Sequence, residues 1–435
     1  MPQRLLVLFL LLGLFSACEP EKKEDPAPVT ITDSITLNEL QIQGDSVASL
    51  TWSALNNPDF VEYRVIRKEG SAETVSESAT FPIKAQFIGR YRDWYLPYTA
   101  YVQYQVVGVL ASGLTIESNV VTHRRPGVQS LSAYMSDVQY DSQTRNLYFF
   151  GKQGDIRKFS LGSGNITHSV EVGQDIGFCS FGTYQGRQEL YVPCADSRIL
   201  IYDAATLTKL DELTTNMGPL TDVLASNNQL FVSSTYYAGS ALQSFSRATK
   251  ARISFAGSLA WSNMRLKKVP NTATEFIGVG LGITPVDQDY YRFSAAGYYV
   301  SFSDDKYHGD YPLDPLLFEF SPAGDQYVSG SWGGLYRRDM TYLTTLPRSG
   351  NYTFISYGFD PAAQVLHAGT SARTIETLSL NDYRRVRTQK TRLYPIKLFP
   401  DGNNGFISVS APYRPDNYFY NGSAYLAKLV VEHFN

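Results

Sequence analysis

Leu190-Tyr191-Val192-Pro193-Cys194 followed by Ile199-Leu200-Ile201-Tyr202 is a pair of short apolar runs with a turn between them, and the pair returns through the C-terminal part of the chain. The first run recurs as Leu147-Tyr148-Phe149-Phe150, Leu230-Phe231-Val232, Phe276-Ile277-Gly278-Val279, Tyr327-Val328, Val365-Leu366 and Phe406-Ile407. The second recurs as Ile156-Arg157-Lys158-Phe159, Leu242-Gln243-Ser244-Phe245, Tyr291-Arg292-Phe293, Leu335-Tyr336-Arg337-Arg338, Ile375-Glu376-Thr377-Leu378 and Leu426-Ala427-Lys428-Leu429. Successive first runs start 38 to 51 residues apart, about 43 on average. Pieces such as Ser321-Pro322-Ala323-Gly324-Asp325 supply turns ahead of several repeats. A repeat of roughly 40–45 residues holding four short strands is the period of a β-propeller. One such sheet cannot bury both faces alone, so the sheets must stack around an axis. The count is seven blades over 127–435. The last repeat offers only three strands, Ile396 to Phe399, Phe406 to Ser410 and Tyr425 to Glu432, whereas Gln129-Ser130-Leu131-Ser132-Ala133-Tyr134 is surplus ahead of the first. That surplus segment is expected to join the last blade, removing an exposed edge and locking the ring.

In period and turn chemistry the repeats resemble the YVTN and WD40-like propellers, without the Trp-Asp dipeptides of the latter. Ahead of them, residues 31–125 alternate short strands with turns: Val47, Leu50 and Trp52 in one run, then Tyr63-Arg64-Val65-Ile66-Arg67, Tyr101 to Val107 and Thr115 to Val121. Strands at this spacing indicate a β-sandwich. The set resembles a fibronectin type III domain, with Trp52 on the second strand, Leu96-Pro97 before the sixth and Ser118-Asn119 entering the last. Either Tyr101 or Tyr104 fits that family's tyrosine corner. The resemblance implies a spacer or docking module and no chemistry. Arg124-Arg125-Pro126-Gly127 breaks the pattern and marks the boundary. The expected fold class is therefore all-β, a fibronectin type III-like sandwich followed by a propeller.

At the front, Arg4 precedes an apolar run from Leu5 to Phe15, and Ser16-Ala17-Cys18 follows. A short apolar region behind one positive charge reads as a signal peptide over 1–17. The small residues before Cys18 resemble the lipobox of bacterial lipoproteins, which implies that Cys18 is acylated and begins the mature chain. Each buried CH₂ of such a chain contributes about 0.8 kcal/mol to membrane attachment. Residues 18–30 are charged and Pro-rich, a tether without apolar surface to bury. A charged tract behind the acylated cysteine is similar to the surface-export signal of Bacteroidetes lipoproteins, implying an outer-membrane lipoprotein displayed at the cell surface. Asp33-Ser34-Ile35 and Asp45-Ser46-Val47 resemble the O-glycosylation sequons of the same group.

Composition narrows the function. The formal net charge is −3, with 18% charged and 14% aromatic residues, which argues against a nucleic-acid binder. Cys179 and Cys194 are expected to face each other: with Gly186-Arg187 as a two-residue hairpin turn they stand in register, in an oxidising compartment, which predicts a disulfide. His123, His168, His308, His367 and His433 are scattered without ligand spacing, so no metal site and no cofactor is expected. No nucleophile elbow, Walker sequence or Rossmann glycine pattern is visible, and no catalytic residue is assigned.

Loops joining second to third strands gather on one face of a propeller, and here they carry aromatic and polar groups. Tyr236-Tyr237 come from repeat three, Asp287, Asp289 and Tyr290 from repeat four, Trp332 from repeat five, and Tyr413, Arg414, Tyr418 and Tyr420 from repeat seven. Tyr and Trp suit binding surfaces because they combine apolar area with a polar tip. The expected function is a membrane-anchored binding protein that uses this face to hold a glycan or a protein. The rivals are a polysaccharide lyase or hydrolase with carboxylates converging on the axis, and a structural subunit of an outer-membrane assembly.

Overall fold

The computed structural model describes residues 33–71, 74–235, 241–256, 263–311, 313–401, 405–414 and 427–434. The signal sequence, Cys18 and the tether lie outside them. Among the described residues every regular element is a strand.

The N-terminal part pairs two antiparallel sheets. One holds Gln41–Gln43, Val47–Thr51 and Arg90–Asp93; the other holds Val75–Ile83, Phe60–Gly70, Tyr101–Leu110 and Thr115–Glu117, with Val121–Arg124 also pairing Tyr101–Leu110. Val102, Tyr104 and Val106 alternate inward and pack with Leu50, Trp52, Tyr63 and Val65 between the sheets. Tyr63 accepts a bond from the Leu55 amide at 2.6 Å, while Tyr104 donates to Asp93 Oδ2 at 2.6 Å, where Arg67 Nη1 also arrives at 2.8 Å.

Seven four-stranded antiparallel sheets follow. Blades 1 to 6 span 137–171, 180–214, 220–255, 264–303, 318–345 and 354–390, each with its strands in chain order. Blade 7 takes Tyr394–Pro400, Phe406–Ala411 and Ala427–Phe434 from the end of the chain and Val128–Ala133 from before blade 1. The register runs from Ala427↔Ala133 to Glu432↔Val128, so the surplus segment closes the ring as expected. Between neighbouring blades the second strands are buried on both faces, which is why Leu147–Phe150 is apolar throughout rather than alternating. Each seam has its own core cluster. Tyr148 and Phe150 of blade 1 pack on Leu190 and Val192 of blade 2, and Phe149 and Phe159 pack on Ile407 and Val409 of blade 7, completing the circle. Across that last seam Asp401 takes Arg145 Nη1 at 2.6 Å and the Tyr140 hydroxyl at 3.2 Å.

The sandwich is fastened to blade 7. Buried Arg125 donates to Asp45 Oδ1 at 2.7 Å and to the Pro97 and Thr99 carbonyls at 2.9 Å. The Ala100 amide donates to Ser130 Oγ at 2.7 Å, Tyr98 to Glu432 Oε1 at 2.5 Å, and Lys428 to Glu69 at 2.6 Å.

The expected disulfide does not form. The turn falls at Gln185-Gly186, whose φ values of 50° and 78° make the mirror-image turn a two-residue hairpin prefers. Tyr184 then faces Arg187 and Ser180 faces Tyr191, a register two residues away from the one that would oppose the two cysteines. Cys194 instead bridges to Ile176. Both thiols are free and buried in the core between blades 1 and 2, and burial pushes both thiol pKa values up, to about 12 for Cys194.

Candidate ligand-binding face and channel

The seven inner strands surround an axial channel of about 530 Å³. The antiparallel order returns the chain, after two strands, to the end where each inner strand began, so the loops between second and third strands ring that same mouth. The polar residues inside sit mostly near the starts of their strands.

Arg265 of blade 4 is the hub of the channel. Its Nη2 lies 2.9 Å from Asp137 Oδ2 of blade 1, its Nε 3.6 Å from Asp222 Oδ2 of blade 3, and its guanidinium 3.6 Å from the centre of the Phe178 ring. Lys397 of blade 7 reaches Asp137 Oδ1 at 3.3 Å. Burial alone would raise the Asp137 carboxyl, but Arg265, Lys397 and Lys267 together hold it well below the usual carboxylate range. Asp222 goes the other way: burial outweighs Arg265 and the Leu266 amide and lifts it to about 7. Burial, then Arg265, lowers Lys267 to about 8, while burial raises Glu319. Arg265 Nε and Nη1 carry no hydrogen bond. Three basic side chains thus share a lumen with one firmly ionised carboxylate and two whose charge is disfavoured, which suits a polar or anionic group entering from the mouth.

On the rim, blades 5 to 7 present a strip of rings and guanidinium groups. Trp332 stands on the turn between Gln326–Ser329 and Gly334–Arg337 and is 51% exposed. Gly333 makes that turn possible: its φ is 77°, and a Cβ there would come within 2.9 Å of the Phe354 ring. Arg348, from the connection to blade 6, lies over the Trp332 ring at 4.0 Å and donates to the Tyr352 carbonyl at 3.0 Å. Tyr413 of blade 7 is 76% exposed, and beside it Arg414 reaches Thr353 Oγ1 of blade 6 at 3.3 Å.

The remaining expected contacts divide. Tyr236, Tyr237, Tyr418 and Tyr420 lie outside the described residues. Tyr290 turns away from the rim, bonds Glu275 and packs into the seam between blades 4 and 5. Asp287 and Asp289 are buried rather than displayed. His308, which has no ligand spacing in the sequence, is brought to Asp287 and Asp304 by the fold, with one ligand-type atom of each within 4.8 Å of the others. Asp137, Asp222, Arg265, Lys267, Glu319 and Lys397 were not singled out by residue, because each sits alone on its own inner strand and only ring closure assembles them.

These features define a class, a seven-bladed β-propeller. Among solved structures, the crystal structure of the RRP9 WD40 repeats is similar with a TM-score of 0.52 at 12% identity, covering 71% of this chain and 97% of that one. The structure of U3-55K is similar with a TM-score of 0.52 at 11% identity, covering 70% and 98%. At these identities the likeness is one of fold alone. No protein-family model matches the chain, and no curated protein matches it.

Proposed function

We propose that the chain is a non-catalytic binding protein, anchored by acylated Cys18 in the outer membrane and displayed at the cell surface, with a fibronectin type III-like module beside the propeller that does the binding. The observation that carries this reading is the strip formed by Trp332 beneath Arg348 and by Tyr413 beside Arg414, which spans three blades around the channel mouth. Exposed aromatic faces stack on sugar rings, guanidinium groups hold their hydroxyl or acidic substituents, and a protein ligand would meet the same mixture of apolar area and directed donors. Trp332→Ala combined with Tyr413→Ala is expected to abolish retention on a glycan or cell-surface array while the melting curve stays unchanged. Retention equal to wild type rejects this face.

A second reading, hydrolysis of a polysaccharide, draws on one observation: Asp222, lifted to about 7, and ionised Asp137 share Arg265 inside the channel. One carboxyl holding its proton beside one that does not is the division of labour that glycoside hydrolysis needs.

A further inference from the structure

The rim of blade 4 carries a cluster that neither the fold nor the binding strip uses. Strand Gln288–Phe293 pairs with Tyr299–Ser303 as far as Tyr290↔Ser303, and just beyond that pair the Asp289 and Asp304 side chains come within hydrogen-bonding reach of each other. Two carboxylates this close repel. Asp287 immediately precedes this strand, and one ligand-type atom of each of Asp287, Asp304 and His308 lies within 4.8 Å of the others. The loop after Asp304 then turns back with His308 at φ 44° and Gly309 at φ 100°, and its His308 Nδ1 comes 3.6 Å from Asp287 Oδ2.

The donors in this cluster do not match its acceptors. The Gln288 backbone amide serves Asp287 Oδ1 at 2.9 Å, the Asp305 backbone amide serves Asp304 Oδ1 at 3.0 Å and the Tyr291 hydroxyl serves Asp289 Oδ2 at 2.8 Å. Asp289 is 1% exposed, and its Oδ1 is buried with no hydrogen-bond partner. Glu189, Asp93 and Asp137, also buried, are each met by a guanidinium; among the described residues no Lys or Arg bonds Asp287, Asp289 or Asp304. A buried, unpaired carboxylate beside like charge is unfavourable, and a proton or a cation relieves it.

We propose that Asp287, Asp289, Asp304 and His308 form a divalent-cation site on the rim of blade 4. Three carboxylates favour a hard ion, and the imidazole favours a first-row metal over Ca2+ or Mg2+, so the ligand set suits Mn2+ best. Asp289 is held in the strand and Asp287 immediately before it, both buried, whereas Asp304 and His308 are exposed and complete the shell from the loop. The bound ion would tie the connection between blades 4 and 5 to the edge of blade 4.

The test uses the full chain stripped with a chelator and titrated calorimetrically with Mn2+, Ca2+ and Zn2+ in turn. One Mn2+ per chain is expected, with a melting temperature that rises as the ion is added. Asp304→Asn, an exposed position that leaves the strand intact, is expected to weaken Mn2+ binding by more than the roughly 10–100-fold that loss of a supporting residue costs. His308→Ala is expected to reduce the preference for Mn2+ over Ca2+. The proposal is overturned if none of the three ions binds or raises the melting temperature, or if Asp304→Asn binds as the wild type does. It is equally overturned if Asp289→Asn stabilises the stripped chain while added ions leave the wild type unchanged, since the two facing carboxyls then simply share a proton. Failure of the Trp332 and Tyr413 experiment would leave this result untouched.

Discussion

The seam between blades 2 and 3 and the rim of blade 4 both bury carboxylates, and they satisfy them in opposite ways. At the seam, Arg247 gives Nε to Glu189 Oε2 at 2.8 Å and Nη2 to Oε1 at 3.0 Å, while the Tyr191 hydroxyl adds a third donor at 2.6 Å. Asp211 accepts from Arg247 Nη1 at 3.1 Å and from Lys250. Every strong acceptor there has a partner inside the chain, and the forked guanidinium fits the carboxylate plane. At the rim, Asp287, Asp289 and Asp304 meet one hydroxyl, two backbone amides and an exposed histidine. A seam with matched charge holds the ring; a rim with surplus negative charge has affinity left for something from solution.

The largest effect should come from breaking the seam that uses a strand instead of charge. Deleting Val128–Ala133 removes the whole outer ladder of blade 7, uncovers Leu429 and Val431, and takes away the Ser130 hydroxyl that receives the Ala100 amide. A ring of sheets with one open edge loses the mutual burial that stabilises each blade. The expected outcome is loss of a cooperative melting transition, followed by circular dichroism against temperature. A sharp transition near that of the wild type would mean that the blades stand without closure.

Next in size is the matched seam itself. Glu189→Ala leaves the Arg247 guanidinium, 6% exposed, without its main partner, and removal of one member of a buried pair costs about 3–5 kcal/mol. Urea unfolding should show that loss. Glu189→Leu with Arg247→Met should recover most of it, because the burden lies in the uncompensated charge and not in the missing bond.

The sequence disclosed this architecture where periodicity was enough. Leu147–Phe150, Leu190 to Val192 and Leu230 to Val232 are buried on both faces, so their apolar runs mark one strand per blade without any knowledge of pairing. The surplus of Val128–Ala133 at one end and the missing strand at the other are a matter of counting. Registers and convergence are different. The disulfide expectation failed on the placement of one turn residue, Gly186 being the second and not the first of the pair. Arg265-Leu266-Lys267 and Ile396-Lys397-Leu398 alternate as a half-exposed strand would, since alternation cannot tell a channel axis from open solvent. Trp332 and Tyr413 were legible as loop aromatics, whereas Asp287 and Asp289, expected in a displayed loop, are buried, because burial is decided by neighbours far along the chain.

The smallest of these effects is also the one that separates the rim from the seam most cleanly. Burial first, then Tyr291 acting against it and the charges of Asp287 and Asp304 acting with it, set the Asp289 carboxyl at about 7, far above the ordinary value of about 3.9 in an unfolded chain. Because the folded chain then holds a proton that the unfolded chain has released, stability contributed by this group is complete below about pH 4 and is lost as pH rises through about 7. Asp137 has the reverse dependence, its folded value being depressed, so its contribution is present above about pH 4 and fades in acid. In chelator-treated protein, Asp289→Asn keeps an acceptor for the Tyr291 hydroxyl and removes the charge. It should raise stability at pH 8 by on the order of 2 kcal/mol, less than the full shift implies because Asp304 is exposed and water screens part of the repulsion. At pH 4 the same substitution should change little. Equal effects at both pH values, measured by urea titration, would show that the Asp289 charge is already compensated inside the chain, and the contrast between rim and seam would disappear.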